Sequence, residues 1–454
     1  MSKTDMVGPD LNKLTNAANA LMSKALKAGA DAADVVISNS SSTSASARLG
    51  VIENTSQSEN DNLSLRVFCG KRVSSVASKA GRIAADGDAL VERAVAMAAS
   101  APEDDYAGLI SSDEVATTWP ELDLFDPTTI NPDALAKDAI EMEEIARSVA
   151  GITNSNGSSA SFGMGGMVLA ASNGFSGAYL GTRHSRSVSV VAGEGTGMER
   201  DYDFDSSSHL SELRSLDDIG RSAAERTLAR LNPQKVETQK VPVLFDKRIS
   251  SSFLGHLSGA INGASIARGS SFLKDRLGEL VFQSGVNIVD NPLLKRRAGS
   301  RPFDADGKSE GQLQLVENGV LKTWLLDSYS ARELNLHSNG RASFSGSGTR
   351  PSTTNLWMEA GTATRDELIA SMECGLIVTD FIGHGANIVT GDYSRGVSGF
   401  WVEKGEIVYP VSEMTLAGSM GDIFAGLIPA DDLEFIGAVN APSLYIEELT
   451  LAGR

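Results

Sequence analysis

A change of residue period at Gly29 constrains the fold more than any other feature of this sequence. Before it, Asp10 follows Pro9 as an N-cap, and Leu11, Leu14, Ala18, Leu21, Ala25 and Leu26 recur at helical spacing until Gly29 stops the helix. After it, residues 35–37, 45–60, 63–68 and 72–78 read as successive strands with short polar turns. Strands in such close series predict an antiparallel meander.

Helical periodicity returns at 88–99 and at 133–149. Between them, 101–131 is acidic, holds Pro102, Pro120 and Pro127, and reads as a long irregular connection. Strands are expected between 152 and 199, with hairpin signals at Asn156-Gly157 and Asn173-Gly174. Ser215 caps a further helix, which Asn232-Pro233 ends. The second half opens with a strand at 241–245 and a Gly- and Ser-rich helix, then turns mostly to strands. Asn318-Gly319 and Lys404-Gly405 mark hairpins there, 364–372 a helix, and 443–451 the last strand. At 454 residues the chain is too long for one ordinary core. The expectation is an α+β fold of two domains. Residues 1–236 carry helices and a mostly antiparallel sheet; residues 237–454 form a β-rich domain with a few helices.

A hydrophobic content of 41% and a charged content of 22% are those of a globular chain. The net charge of −18 argues against nucleic acid, which needs a cationic stripe to replace condensed counterions. Two cysteines, Cys69 and Cys374, are too few for a disulfide framework and fit a reducing compartment. No apolar leader and no run of 18 apolar residues is present, so a cytoplasmic location away from membranes is expected.

The search for chemistry centres on 253–279. A zinc-peptidase helix of the usual kind needs two His one turn apart. This segment has only His256, with Ala260 one turn on, and one imidazole cannot hold zinc. His184, His209, His337 and His384 form no close pair either. A serine-hydrolase elbow is absent: the strings around Ser258 and at Ser345-Gly346-Ser347-Gly348 have the wrong spacing. Glycines 163–166 and Gly193, Gly195 and Gly197 complete no phosphate loop and read as tight turns. Asp304-Ala305-Asp306-Gly307 reads as a turn; a calcium loop around Gly307 would place Pro302 and Leu313 at its first and last ligand positions. Arg183 and Arg186 flank His184 as a small cationic cluster, able to receive a peptide carboxylate or simply solvated on an alternating strand. Gly383, His384, Gly385, Asn387 and Arg395 lie around a short strand expected at 388–390. Glycines there would let an extended peptide approach by β-augmentation.

Several separated blocks carry a family resemblance. They include Gly29-Ala30-Asp31-Ala32-Ala33-Asp34-Val35, Gly269-Ser270-Ser271 with Leu277-Gly278-Glu279, and Phe303-Asp304-Ala305-Asp306-Gly307. Further on come Pro351-Ser352-Thr353-Thr354-Asn355, Gly391-Asp392-Tyr393-Ser394-Arg395-Gly396 and Ala441-Pro442-Ser443-Leu444. In their order and spacing the chain resembles the TldD/PmbA metallopeptidase family, and within it the PmbA (TldE) branch. In the TldD branch the metal helix carries His-Glu-x-x-x-His, completed by a Cys near the C-terminus. Aligned on Gly269-Ser270-Ser271, those positions are Leu254, Gly255 and Gly259 here, and 434–440 has no Cys. The expected helix 247–265 is thus a metal helix without ligands. The resemblance implies a chain with no catalytic or metal residues of its own and no cofactor. It implies a TldD-type partner subunit that supplies zinc, with peptides or unfolded polypeptides as substrates. Short peptides, antitoxins and peptide-antibiotic precursors belong to that class, and a homodimer is a further possible assembly. The alternative is an independent hydrolase using His256, Ser258 or His384.

Overall fold

A computed structural model describes residues 9–128, 130–345 and 348–453. The Asp10 side chain accepts from the Lys13 amide and starts helix α1 (Leu11–Lys27). The chain then enters β1 (Ala32–Arg48), β2 (Val51–Cys69) and β3 (Arg72–Ser78). With β4 (Ile152–Ala171), β5 (Ser176–Ala192) and β6 (Glu199–Ser207) these form one sheet of order β3-β2-β1-β4-β5-β6. Every neighbouring pair is antiparallel, as the meander reading requires.

The stretch 45–60 is not one strand. Leu49 (φ 53°) and Gly50 (φ 78°) turn the chain, and β1 and β2 run far longer than their apolar patches. A leucine at positive φ gives no local turn signal. It is held from outside: Glu143 of the helix Pro132–Ser148, fully buried, accepts from the Leu49 amide at 2.9 Å and from the Gly50 amide at 2.8 Å. Asn156-Gly157 is likewise a bulge inside β4, whereas Asn173-Gly174 does join β4 to β5.

Alternation assigns the faces of this sheet. Val35, Ile37, Ala45 and Ala47 of β1 and the even positions 160–170 of β4 pack under α1, α2 (Ile83–Ser100), α3 (Pro132–Ser148) and α4 (Leu216–Ala229). The helices therefore share one face. The opposite face has an apolar end, where Val36, Leu169, Ala171 and Phe175 meet Trp119 of the Pro-containing connection and Phe303 from the second half. Beside it Asp34 and Arg66 pair at 2.5 Å. Farther along, the same face carries Ser38, Ser40 and Ser42 of β1, Gly163 and Gly165 of β4, and Gly181 of β5.

Strand β7 (Gln239–Phe245) begins a second six-stranded sheet. It pairs in parallel with Cys374–Ile382 and antiparallel with Leu444–Ala452. Asp392–Glu403 and Glu406–Ser419 extend the first side, and pairing of 415–417 with 450–452 closes the strands into a ring. One face packs on helix α5 (Lys247–Ala260), the other on the short helix Arg365–Ala370, started by the Thr364–Glu367 capping box. A five-stranded sheet of short strands, 288–358 with Val439–Asn440, abuts the first face. The fold is α+β. Among the described residues no helix is long and apolar enough to cross a membrane.

Candidate functional site

Helix α5 is fixed at both ends. Asp246 caps it by accepting from the Arg248 amide, and Arg248 reaches across to Asp201 of β6 at 2.9 Å. At its far end Ile261 closes the last turn on the Leu257 carbonyl, and Asn262 caps a separate short helix, Gly263–Ala267. The stretch 247–265 is therefore two helices, because Asn262 prefers a new cap to continued helical geometry.

Leu254 points into the apolar core with Phe253 and Leu257. Gly255 is exposed, with open space where a Cβ would stand, and a Cβ on Gly259 would meet Ile388 at 3.7 Å. None of the three offers a donor atom, so these positions do not fit a metal. Among the described residues no three His, Cys, Asp or Glu side chains gather to hold one.

The structure brings part of the expected peptide-binding set together. A Cβ on Gly385 would lie 3.0 Å from His256 Nε2, 3.1 Å from Arg395 Cδ and 3.1 Å from Tyr393 Cε2. The Arg395 guanidinium stacks on Phe381 at 4.0 Å. His256 Nε2, Tyr393 OH and Arg395 Nε are all buried without a hydrogen-bond partner. Burial, aided by the Arg395 charge, pushes the His256 imidazole down from its usual range, so it is neutral at pH 7. Burial pushes the Tyr393 phenol up to about 12, against the pull of Arg395. Three unmatched polar groups thus cluster around Gly385. Gly383 and His384 stay exposed beside it, and Asn387 serves another purpose. Its side chain accepts from the Val389 and Thr390 amides, which makes 388–390 a turn and not the expected strand. No hydrogen bond links His256, Ser258 and His384 among the described residues, and the Ser258 string lies inside α5. The string 345–348 lies partly outside the described residues. Phe381 escaped the sequence reading, and Tyr393 entered it only as part of the 391–396 block, since nothing local marks a residue that packs across a turn.

Arg183 and Arg186 separate, as strand alternation requires. Arg186 faces the helices and pairs with Asp138 at 2.6 Å. His184 is buried beside Asp126 at 3.2 Å; burial pushes the imidazole down, with Asp126 opposing. Arg183 faces the other way into open space. Near it Ser208 Oγ lies 3.0 Å from His209 Nδ1, and His209 Nε2 lies 3.5 Å from Asp123. That order of groups imitates a nucleophile and base. However, Ser208 Oγ donates to the Arg296 carbonyl at 3.1 Å and Asp123 is held by Arg296 Nε at 2.6 Å, so the line is structural. Asp304-Ala305-Asp306-Gly307 is a buried turn, the Asp304 side chain accepting from the Asp306 and Lys308 amides.

Comparison with known proteins follows the same lines. Family models for the PmbA/TldA metallopeptidase match as domain 1 at 33–98, central domain at 125–231 and C-terminal domain at 238–453. The "Metalloprotease PmbA homolog" of Haemophilus influenzae is 36% identical over 456 residues, 100% of this chain and 99% of that protein. The same organism has a "Metalloprotease TldD homolog", 27% identical over 52% of this chain and 53% of its own length. A crystal structure of a "putative modulator of DNA gyrase" from Bacteroides thetaiotaomicron superposes with TM-score 0.89 at 29% identity, covering 98% of this chain and 100% of that one. TldE from Thermococcus kodakarensis shares the fold, with TM-score 0.85 at 18% identity over 96% of this chain and 100% of that one.

Proposed function

The chain belongs to the PmbA/TldD metallopeptidase family, and from that premise we propose that it is the non-catalytic subunit of a zinc peptidase. The metal and the catalytic carboxylate would reside in a TldD-type partner. This chain would complete the chamber and hold the peptide. The observation that carries the reading is the donor set of α5: Leu254, Gly255 and Gly259 stand where the resemblance places the ligands and general base. Zinc peptide hydrolysis needs a metal-activated water and a carboxylate base, and this helix face supplies neither.

The cluster of His256, Tyr393 and Arg395 around Gly385 supports peptide holding, because its buried polar groups lack partners. The occurrence of PmbA- and TldD-type relatives in one organism supports the pairing. The reading carries with it a cytoplasmic location, two structural units at 1–236 and 237–454, and unfolded or short peptides as substrates. Antitoxins and peptide-antibiotic precursors belong to that class.

The test is metal analysis and peptide cleavage on the purified chain, alone and mixed with a TldD-type partner. The expected result is no stoichiometric zinc and no cleavage alone, with cleavage on mixing. Tight stoichiometric zinc in the isolated chain, or cleavage without the partner, overturns the reading.

A further inference from the structure

The face of the first sheet turned away from the helices ends in a cleft that the peptidase reading leaves unused. Its floor is set by sequence: Ser40 and Ser42 of β1, Gly163 and Gly165 of β4, and Gly181 of β5 remove the side chains that would otherwise fill it. The connection covers it with Leu124, whose carbonyl would lie 3.5 Å from a Cβ on Gly181. Two cavities of about 350 and 390 Å³ result, sharing Arg183, Ser208, Arg297 and Ala298 along their walls. Each is large enough for a small ligand.

The charge of this cleft is opposite to that of the chain. Arg183, Lys295 and Arg297 line it and make no ion pair among the described residues. Arg297 stacks at 4.9 Å on Phe435, which holds its guanidinium in place. The acidic groups present are already engaged. Asp205 accepts from the Arg214 amide at 2.7 Å, and Glu212 binds Arg296 at 2.9 Å. Arg296, the fourth cation, is consumed by Glu212 and Asp123. Three uncommitted cations converging on one cavity, in a chain of net charge −18, form a local anion trap. The second cavity continues from them past Tyr179 and Leu124, so the complementary ligand has an anionic end and a short, partly apolar body.

We propose that the cleft of Arg183, Lys295 and Arg297 binds the C-terminal carboxylate of a short peptide, with its last residues lying over the serine and glycine floor. Arginine forks suit the planar carboxylate, and the glycines let a peptide backbone come close. The peptide-handling reading above supplies only the class of ligand. The test uses this chain alone, so its failure leaves the zinc and mixing results untouched.

Calorimetric titration with alanyl-alanyl-leucine as free acid and as C-terminal amide decides the matter. The acid should bind about tenfold or more tighter than the amide, from loss of charge-assisted hydrogen bonds. In Arg183→Gln/Arg297→Gln, which alters only exposed side chains, that preference should vanish. Equal binding of acid and amide by the native chain overturns the proposal without recourse to a variant. So does an acid preference that survives in the double variant, or inorganic phosphate binding as tightly as the tripeptide acid.

Discussion

Replacing Arg341 by Met tests how the loop carrying Lys295 and Arg297 is held. Arg341 and Asp290 are both fully buried and meet at 2.5 Å. The guanidinium also donates to the Gly311 carbonyl at 2.8 Å, the Asn339 carbonyl at 3.0 Å and the Asp290 carbonyl at 3.1 Å. Asp290 in turn accepts from the Thr354 amide and hydroxyl. The neighbouring Asn355 accepts from the Gly299 amide and donates to Ser300 Oγ. Arg341→Met would leave a buried carboxylate without its cation, a loss of about 3–5 kcal/mol. Two Thr354 hydrogen bonds remain on Asp290, which favours the lower end. Arg341→Met/Asp290→Asn removes both charges. The double variant should then lose less than Arg341→Met alone, since only carbonyls stay unmatched. Urea unfolding of the three proteins measures this, and a fall in Tm of roughly 6–20 °C should accompany the single substitution. A loss below about 1 kcal/mol for Arg341→Met, or additive effects in the pair, would refute the reasoning.

Gly385→Ala should lower stability by about 1–3 kcal/mol by crowding His256, Arg395 and Tyr393, and should weaken partner-dependent cleavage; a variant with native Tm and native activity would refute a role for this cluster in peptide holding. The Asp306 carboxyl is pushed up to about 7 by burial and by Asp304, against the pull of Arg66. Its folded-state value exceeds its unfolded value, near 4. Its stabilising contribution is therefore complete below about pH 4 and lost as pH rises through about 7. Thermal melts at pH 5.5 and 8 should show the native chain weaker at pH 8, and Asp306→Asn should flatten the difference; an unchanged slope in the variant would assign it elsewhere.

Much of the scaffold was legible because its signals are local. Asp10, Asn131-Pro132, Ser215 and Thr364 cap the helices the sequence places there, and Asn318-Gly319 and Lys404-Gly405 turn the hairpins. The long β1–β2 hairpin was not legible. Residues 53–60 are exposed on both faces and so carry no alternation, and the Leu49-Gly50 turn depends on Glu143, distant in sequence. At α5 the side chains of Leu254, Gly255 and Gly259 were legible as residue types alone. The polar cluster beside it could not be read so, because Gly385, Tyr393 and Arg395 meet His256 only after the sheet has formed. The cationic cleft is the extreme case: Arg183 was singled out, but Lys295 and Arg297 reach it from more than a hundred residues away.

The ring of strands in the second half has a consequence for biosynthesis. Strand β7 is the first strand of its sheet to leave the ribosome, yet its two neighbours are Cys374–Ile382 and Leu444–Ala452. Nearly two hundred further residues must be made before the second one exists. Until then β7 has an unpaired edge and α5 lacks part of the apolar surface that covers it. Such distant pairings form slowly. The nascent domain therefore spends most of its synthesis with strand edges and apolar surface uncovered, the state most in need of chaperone protection.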